Sequence, residues 1–359
     1  MKRFTVHIVR ALALLTLPLS GSDILHAQAT LVDILEIDDV VHDIAFRNGS
    51  EGYAITDDRV LTTTDGGTTW AYSMPLVFRP PFRSIALFGD AGMIIGDAFG
   101  GVHHTADPET GWTTYTLLES GSPVDEQPIL EIEAVDGAHW VAISDMAIHT
   151  TRDSGATFST YAPSKGRGFV SIDITDPGLM HAAESIETVF RSTDGGTTWG
   201  QLPTSQTGFG EIYDATFISA DTGFVASWYP WNLYTTVDGG VTWMAGPYEY
   251  PTSISVSPEG PGAYATAEYV RISSDRGMTW TDSVAYPDLV VDGEPISPFG
   301  WSEQKVVVTE AGGVVLLLSA PEQGRSIIAR VDVTSGVIEE ENYSPADLDL
   351  TLQSASECR

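Results

Sequence analysis

Cysteine and positive charge are both scarce in this sequence of 359 residues. The one cysteine, Cys358, lies next to the C-terminal residue, so no disulfide can form within the chain and the fold depends on packing. Only 17 lysines and arginines face 49 aspartates and glutamates, which gives a formal net charge of −32. Because such a charge repels nucleic acid, we predict that nucleic acid is not a partner.

Long apolar runs are missing from most of the chain. The best candidate, Val306 to Ala320, alternates as a strand does and contains Glu310 and two glycines. A membrane-spanning helix needs about 18 or more consecutive apolar residues. We therefore predict no transmembrane segment.

The N-terminus has the pattern of a secretory signal peptide. Lys2 and Arg3 open a basic region, Ala11 to Leu19 form an apolar core, and Ala27-Gln28-Ala29 fits a small-residue cleavage site. A buried amphipathic helix is the alternative. We predict a signal peptide over residues 1–29 and an exported protein, periplasmic or secreted.

Motifs of catalytic and metal sites are also absent from the sequence. It contains no Gly-x-Ser-x-Gly elbow, phosphate loop, paired-cysteine site or His-Glu-x-x-His motif. His103 and His104 are adjacent and would face opposite sides of a strand, which favours a structural role over metal binding. We expect no catalytic residue, no metal and no cofactor.

What the sequence does contain is one short motif, Ser/Thr-x-Asp-x-Gly-x-Thr-Trp/Phe, in five close copies. The first copy runs from Thr63 to Trp70, and a degenerate sixth copy begins at Thr105, with Gly111 and Thr113 displaced by two extra residues. Successive aspartates are 37 to 46 residues apart. The key positions are Asp65, Gly67, Trp70, Asp107, Asp153, Gly155, Phe158, Asp194, Gly196, Trp199, Asp238, Gly240, Trp243, Asp275, Gly277 and Trp280. A period near 40 residues predicts a propeller.

Each repeat unit is predicted to hold four short antiparallel strands, which is one propeller blade. In the first unit these strands are His42 to Phe46, Tyr53 to Thr56, Val60 to Thr63 and Trp70 to Ser73. The next five units begin with similar alternating segments. These predicted innermost strands are Phe82 to Leu87, Leu130 to Ala134, Phe169 to Ile174, Ile212 to Phe217 and Thr252 to Val256.

A seventh unit, from about residue 299 to 333, lacks the motif, and Glu322-Gln-Gly-Arg325 is expected at its hairpin position. Thr30 to Ile37 alternates as a strand does and is predicted to pair with the last blade and close the ring. We therefore predict an all-β, seven-bladed β-propeller over residues 30–338. A signal peptide (1–29) precedes it and an acidic C-terminal tail (339–359) follows it, and we expect a monomer.

The motif has a structural explanation. Its aspartate can accept backbone hydrogen bonds within the hairpin, its glycine suits a positive φ, and its aromatic residue can fill the wedge between two blades. The spacing resembles the Asp-box, or bacterial neuraminidase repeat. We expect these residues to support the fold and to lie on the face opposite a ligand site.

Whole repeat units carry a further resemblance. The segments from Asp43 to Trp70 and from Asp214 to Trp243 are similar to repeats of the photosystem II stability/assembly factor family, and related units occur in sortilin-type receptors. This resemblance implies an exported, non-catalytic propeller that holds a protein client. It does not imply which client.

The Asp-box also occurs in sialidases, so a glycoside hydrolase is an alternative. Sialidases have an Arg-Ile-Pro element ahead of the first box, an arginine triad and a Tyr–Glu pair. The nearest segment here, Phe78-Arg79-Pro80-Pro81, follows the first box and lacks the isoleucine, and Arg271 and Arg276 alone do not make a triad. A structural module of an envelope assembly is a third alternative.

A binding surface is expected where the blades are linked to each other and where their second and third strands connect. Aromatic and basic residues concentrate in these segments: Phe78, Arg79, Arg83, Lys165, Arg167, Trp228, Trp231, Tyr248 and Tyr250. Such residues often anchor interfaces. The alternatives are that the aromatics pack loops and that the arginines pair with acids. We predict a scaffold that holds a protein, or a glycan, on this face.

Overall fold

A computed structural model describes most of the chain. The described residues are 7–9, 28–73, 81–117, 128–163, 168–202, 209–228, 231–280, 282–285, 290–291, 294–295, 303–309 and 312–334. Most of the predicted signal peptide and the whole predicted acidic tail lie outside these ranges. Within them, no helix is long and apolar enough to cross a membrane.

Strands form almost all of the regular structure, and six four-stranded antiparallel sheets follow one another along the chain. Two strands come before them, β1 (His7–Val9) and β2 (Gln28–Ile37). Blades 1 to 3 consist of β3 (Val41–Phe46), β4 (Gly52–Thr56), β5 (Val60–Thr63) and β6 (Ala71–Tyr72); β7 (Phe82–Phe88), β8 (Gly92–Asp97), β9 (Gly101–Thr105) and β10 (Thr113–Thr116); and β11 (Ile129–Ala134), β12 (Trp140–Ser144), β13 (Ile148–Thr151) and β14 (Ser159–Tyr161).

Blades 4 to 6 repeat the same arrangement. They consist of β15 (Phe169–Asp176), β16 (Leu179–Glu184), β17 (Val189–Ser192) and β18 (Gly200–Gln201); β19 (Ile212–Phe217), β20 (Gly223–Ser227), β21 (Asn232–Thr236) and β22 (Met244–Tyr248); and β23 (Pro251–Val256), β24 (Gly262–Thr266), β25 (Tyr269–Ser273) and β26 (Asp282–Ala285). A small hairpin of β27 (Val290–Val291) and β28 (Glu294–Pro295) follows.

Blade 7 closes the ring with strands from both ends of the chain. It contains β29 (Glu303–Val308), β30 (Gly313–Ala320) and β31 (Arg325–Thr334), and its outer strand is β2. Strand β2 pairs antiparallel with β31, from Gln28 opposite Thr334 to Ile37 opposite Ser326, and β1 adds to the outer edge of β2. The seven-bladed fold and its closure by an N-terminal strand are therefore confirmed.

One expectation about blade 7 was wrong. The segment Glu322 to Arg325 does not replace the hairpin between the third and fourth strands; it belongs to the turn between β30 and β31, the second and third strands. A short 3-10 helix, Pro321–Gln323, and Gly324 at φ +65° make this turn. The reason is topological, because the fourth strand of this blade arrives from the other end of the chain.

The core is divided into seven apolar clusters, one between each pair of neighbouring blades. The aromatic residue that ends each repeat hairpin packs toward the preceding blade. Trp243 of blade 5, for example, contacts Phe209 and Phe217 with ring centroids 5.1 and 6.0 Å away, in the cluster shared with blade 4. Burial of these wedges joins the blades without a covalent link.

The repeat hairpin of blade 4 shows how the motif works. Ser192 Oγ donates to Asp194 Oδ1 (2.8 Å) and accepts from the Gly196 N–H (2.8 Å). The Asp194 carboxylate also accepts from the backbone and hydroxyl of Thr198, at 2.8 and 2.6 Å. These hydrogen bonds to its charged form lower the pKa of Asp194 to about 2. Blades 1, 3, 5 and 6 repeat this network.

The degenerate hairpin of blade 2 keeps more of the pattern than its spacing suggests. Thr105 Oγ1 accepts from the Asp107 N–H and lies 2.6 Å from the Gly111 carbonyl oxygen, to which it donates. Trp112 stands seven residues after Thr105, as Trp70 stands after Thr63, and it packs between blades 1 and 2. The sequence analysis missed this tryptophan because it aligned Thr113 instead.

Hydroxyl and carboxylate groups on the inner side of the ring connect every pair of neighbouring blades. Asp43 accepts from the Ile85 N–H at 2.9 Å, for example, and Asp214 accepts from the Ile254 N–H at 2.9 Å. The other five junctions are Ser84 to Ile129, Glu131 to Ile172, Asp173 to Phe217, Ser253 to Val306, and Ser319 and Ser326 to Val41. We call these contacts the inner ring.

The up-and-down order of the strands defines two faces. The repeat hairpins, between third and fourth strands, share one face with the turns between first and second strands; this is the hairpin face. Loops between second and third strands share the opposite face with the links between blades; this is the linker face. The two faces follow from the antiparallel order within each sheet.

Removal of one buried hydroxyl tests the role of the hairpin. Ser192 is 1% exposed, and Ser192→Ala leaves the Gly196 N–H without its partner. We expect a loss of about 1–3 kcal/mol in the free energy of unfolding, measured by urea denaturation. The control is the exposed neighbour Thr193→Ala, which should change stability by less than about 0.5 kcal/mol. Equal effects of the two variants would contradict this account.

Candidate binding face

The structure describes five of the nine predicted binding residues, and all five lie on the linker face. They are Arg83, Trp228, Trp231, Tyr248 and Tyr250. Phe78, Arg79, Lys165 and Arg167 lie outside the described residues. The described residues therefore include four of the five aromatic residues of the prediction and one of its four basic residues.

Exposed apolar side chains are concentrated on the linker face. Of twelve large hydrophobic residues that are exposed in the described part of the chain, eight lie on this face. They run from blade 2 to the junction of blades 5 and 6: Phe99, Leu130, Met146, Ile186, Tyr213, Trp228, Tyr248 and Tyr250. Contiguous exposed apolar surface often marks an interaction site.

Five aromatic side chains at the junction of blades 5 and 6 form one cluster, which we call the aromatic platform: Tyr213, Trp228, Trp231, Tyr248 and Tyr250. Its ring centroids are linked by contacts of 4.9 to 6.3 Å, mostly edge to face. Tyr248 is 56% exposed and Trp228 43%. Because the rings contact each other, the platform is a continuous surface and not an open cage.

Two backbone conformations place the platform residues. Trp231 and Tyr250 have φ of +64° and +55°, in the left-handed region that non-glycine residues rarely adopt. The carbonyl of Trp231 accepts from the N–H groups of Glu249 and Tyr250, at 3.0 and 3.4 Å. The loop of blade 5 and the link to blade 6 are thus tied together. Strain of this kind persists where the surrounding contacts impose it.

Glu249 anchors the link between the two exposed tyrosines. Its carboxylate makes a bidentate ion pair with Arg271, at 2.6 and 3.1 Å, and accepts from the hydroxyl of buried Tyr264. Burial alone would raise the pKa of Glu249, but the hydrogen bonds from Arg271 and Tyr264 hold it below its ordinary value. Since Glu249 is held by blade 6, its neighbours Tyr248 and Tyr250 are directed to the surface.

Tyr213 is a platform residue that the sequence analysis did not identify. It stands at a register shift between Ile212 and Asp214, where one extra residue bulges from the innermost strand. The same bulge occurs at the start of the innermost strand in all of the first six blades, at His42, Arg83, Leu130, Val170, Tyr213 and Thr252. Bulges re-aim side chains, and at Leu130 and Tyr213 the bulged side chain is exposed on the linker face.

The one described basic residue among the predicted positions, Arg83, is engaged within the protein. Its guanidinium donates to Asp57 at 3.0 Å and lies 2.9 Å from the His42 ring nitrogen. Burial alone would raise the pKa of Asp57, but the hydrogen bonds from Arg83 and His42 lower it. Arg83 therefore follows the alternative stated for the arginines, which is pairing with an acid of the same protein.

A second cluster lies on the axis of the ring and consists of Asp43, Glu131, Glu133, Asp173, Asp214 and Lys305. Lys305 Nζ of blade 7 is 2.5 Å from Asp43 of blade 1 and 3.9 Å from Glu131 of blade 3. Burial raises the pKa of Glu133 to about 8 and those of Asp173 and Asp214 to about 6, and neighbouring acids add to the shifts of Glu133 and Asp173. Asp43, Glu131, Asp173 and Asp214 supply bonds of the inner ring.

The described residues do not form the catalytic arrangement of a sialidase. A Tyr–Glu pair beside an arginine does exist, in Tyr264, Glu249 and Arg271. However, Tyr264 is fully buried and Arg271 is committed to Glu249, so neither is placed to meet a sugar. Among the described residues, no group of three His, Cys, Asp or Glu side chains is placed to hold a metal ion.

Comparison with known families and curated proteins gives two partial matches. Residues 26–162 match the family described as photosynthesis system II assembly factor YCF48. The xyloglucanase of Hypocrea jecorina (strain QM6a) is 23% identical over 228 residues, which are 62% of this chain and 22% of the xyloglucanase. The chain therefore spans about a fifth of the length of that relative.

Solved structures with the same architecture show the fold alone, because sequence identity is low. YCF48 bound to a D1 peptide has a TM-score of 0.61 at 17% identity and covers 86% of this chain and 97% of its own. The RRP9 WD40 repeats give 0.67 at 10% identity, and virginiamycin B lyase from Staphylococcus aureus gives 0.60 at 13%; both cover 86% of this chain and 100% of their own. The chain is a β-propeller similar to YCF48.

The axial acids predict a pH dependence of stability. With folded pKa values raised above the ordinary range, Glu133 and Glu131 stay protonated in the folded state at pH values where they ionise in the unfolded chain. The contribution of Glu133 to stability is complete below about pH 4 and is lost as the pH rises through about 8, and Glu131 acts in the same direction. Buried His149 and His181, with pKa lowered to about 4 and 3, act in the opposite direction, but only below about pH 6.5.

Between pH 6.5 and 8.5 we therefore expect the free energy of unfolding to fall by about 1–2 kcal/mol, after allowance for solvent screening of these partly exposed carboxylates. Glu133→Gln should flatten this slope. The control is Asp136→Asn, at an exposed turn whose carboxyl has a lowered pKa and does not titrate in this range. Urea denaturation at each pH measures the slope, and an unchanged slope in Glu133→Gln would show that this carboxyl does not cause it.

Proposed function

We propose that this protein is a non-catalytic binding scaffold that holds a protein partner on its linker face, with the aromatic platform as the main contact. The observation that carries the proposal is the cluster of five aromatic rings, four of which stay exposed although all seven wedges of the ring are well packed. Tyrosine and tryptophan are the residue types that most often dominate protein interfaces.

The preformed shape of the platform supports this role. Tyr248 and Tyr250 are held outward by the ion pair of Glu249 with Arg271 on the next blade. A surface that is ordered before binding loses less conformational entropy when a partner arrives. The left-handed backbone at Trp231 and Tyr250 is consistent with a geometry maintained for binding.

The comparisons support a protein partner. The chain shares the fold of YCF48, and one of the similar YCF48 structures is bound to a D1 peptide. We propose that this chain also binds a peptide segment of its partner. We do not propose that the segment is the same one. We also assign the repeat hairpins to the Asp-box type found in sortilin-like propellers, on the hydrogen bonds of their aspartates.

The proposal also covers the cellular location and the oligomeric state of the protein. The N-terminal pattern supports cleavage after residue 29 and export to the periplasm or beyond, and the high negative charge supports a soluble monomer. A glycan is the second candidate ligand, because a curated relative is a xyloglucanase. In that case the protein would bind or hydrolyse a glycan instead of holding a protein partner.

Paired variants on the two faces test the proposal. The full chain and the variant Trp228→Ala/Tyr248→Ala are immobilised and exposed to envelope extract of the source organism. The control is Val237→Ala/Met278→Ala, which removes two exposed apolar residues (53% and 47%) from the hairpin face. Circular dichroism first establishes that all three proteins are folded.

We expect a protein that the full chain and the control both retain and that the platform variant retains at least about tenfold less, as expected for loss of interface hot spots. Equal retention by all three would remove the platform as the binding site. Enrichment of polysaccharide instead of protein, or release of sugars from xyloglucan by the full chain, would favour the glycan candidate. The absence of any selective ligand would favour a structural module of the envelope.

A further inference from the structure

We infer that the partner segment is basic and extended, with arginine side chains that stack on the aromatic platform and pair with carboxylates around it. This inference rests on the proposed function and adds the chemical class of the partner. Three observations support it: the charges on the linker face, the distribution of exposed apolar residues there, and the contacts that the protein's own arginines make.

Exposed carboxylates lie in linker-face loops of the two blades on either side of the platform, and on blade 5 itself. Glu187 and Glu211 lie on the side of blade 4: the Glu187 N–H donates to Gly210 O at 3.0 Å, and the Glu211 carbonyl accepts from the Trp228 N–H at 2.7 Å. Burial and the nearby charge of Glu211 raise the pKa of Tyr213, which places that carboxylate close to the platform. On the side of blade 6, Glu268 precedes Tyr269 in the loop between β24 and β25.

Basic side chains of the described linker face do not neutralise these three acids. Arg83 is bonded to Asp57, Arg271 to Glu249, and Arg325 to Glu36. Glu187, Glu211 and Glu268 make no ion pair with any described residue. Two further loops of this face carry exposed acids, Asp145 and Glu322. The described part of this face is therefore aromatic and negatively charged, in a protein whose net charge of −32 attracts cations over long range.

A surface of aromatic rings and carboxylates favours arginine over other residues of a partner. A guanidinium stacks on tryptophan or tyrosine rings and can pair with a carboxylate at the same time. The protein itself makes such contacts, since the Arg271 guanidinium lies 5.0 Å from the Tyr269 ring centroid while it pairs with Glu249. An acidic partner would be repelled, and a neutral one would leave the carboxylates unpaired.

The distribution of exposed apolar residues indicates an extended segment. Phe99, Met146 and Ile186 add exposed apolar side chains to the loops of blades 2, 3 and 4 on the same face. A chain in polyproline II conformation advances about 3.1 Å per residue with three residues per turn, so every third side chain can face such a surface. A compact helix would contact only one or two of these loops.

A peptide panel tests the inference on the full chain. Three fluorescein-labelled 12-residue peptides of alternating proline and a second residue (arginine, glutamine or glutamate) are titrated by fluorescence anisotropy in about 50 mM and about 300 mM NaCl. One variant neutralises the linker face, Glu187→Gln/Glu211→Gln/Glu268→Gln. Its control neutralises three exposed acids of the hairpin face, Asp90→Asn/Asp221→Asn/Glu259→Gln, and so changes net charge equally.

We expect the arginine peptide to bind more tightly than the glutamine peptide, and the glutamate peptide not to bind. The linker-face variant should weaken arginine-peptide binding about tenfold at low salt and about twofold at high salt, whereas the control should weaken it less than twofold. Absence of arginine-peptide binding, equal binding of the glutamine peptide, or equal effects of the two triple variants would overturn the inference.

The panel also separates this inference from the proposed function. If the glutamine peptide binds as tightly as the arginine peptide and Trp228→Ala/Tyr248→Ala abolishes both, the platform binds protein segments but does not select basic ones. If neither peptide binds and envelope capture is also independent of the platform, both the inference and the proposed function are wrong.

Discussion

Hydrogen bonds between the innermost strands of neighbouring blades are the contacts on which the rest of this molecule depends. Each junction uses one or two side chains that bond to the backbone of the next blade, as Asp43 does with Ile85 and Ser253 with Val306. Buried backbone groups need such partners, because an unpaired one costs about 1–3 kcal/mol. The inner ring fixes the blades at the axis, and the apolar wedges and the pairing of β2 with β31 complete the closure.

Scarcity of positive charge explains how the remaining cations are used. Several described arginines bond to the backbone of a neighbouring blade: Arg47 to Phe88 and Gly89, Arg152 to Asp194, and Arg330 to Asp65. Lys305 joins blades 7, 1 and 3 at the axis. These cations act as links between blades. The described part of the linker face exposes acids and aromatic rings, and this is the composition from which its function is inferred.

The binding face depends on the same construction. The bulge in each innermost strand is followed directly by an inner-ring residue in most blades, as Tyr213 is followed by Asp214. One local irregularity thus places a bonding group toward the next blade and the preceding side chain toward the linker face. Stability and binding surface are consequently produced by adjacent residues of the same strand.

The periodic motif made the fold predictable, because each repeat carries its own turn chemistry and strand alternation. The position of Trp228, Trp231, Tyr248 and Tyr250 on one face followed from strand order alone. Tyr213 was missed because a bulge breaks the two-residue alternation, and the role of Glu249 was missed because its partners belong to the next blade. The turn at Glu322 was misplaced although the closing strand was predicted, because a blade whose fourth strand comes from the N-terminal segment has no hairpin between its third and fourth strands.

The central claim is that a partner contacts the linker face, and photo-crosslinking measures that contact directly. Benzoylphenylalanine would replace Tyr248 on the linker face in one protein and Val237 on the hairpin face in another; the two sites have similar exposure, 56% and 53%. After irradiation in envelope extract, the account predicts one discrete crosslinked protein at position 248, with the crosslink mapped to an arginine-rich segment, and none at position 237. Equal crosslinking at both positions, or crosslinking at position 237 alone, would contradict it.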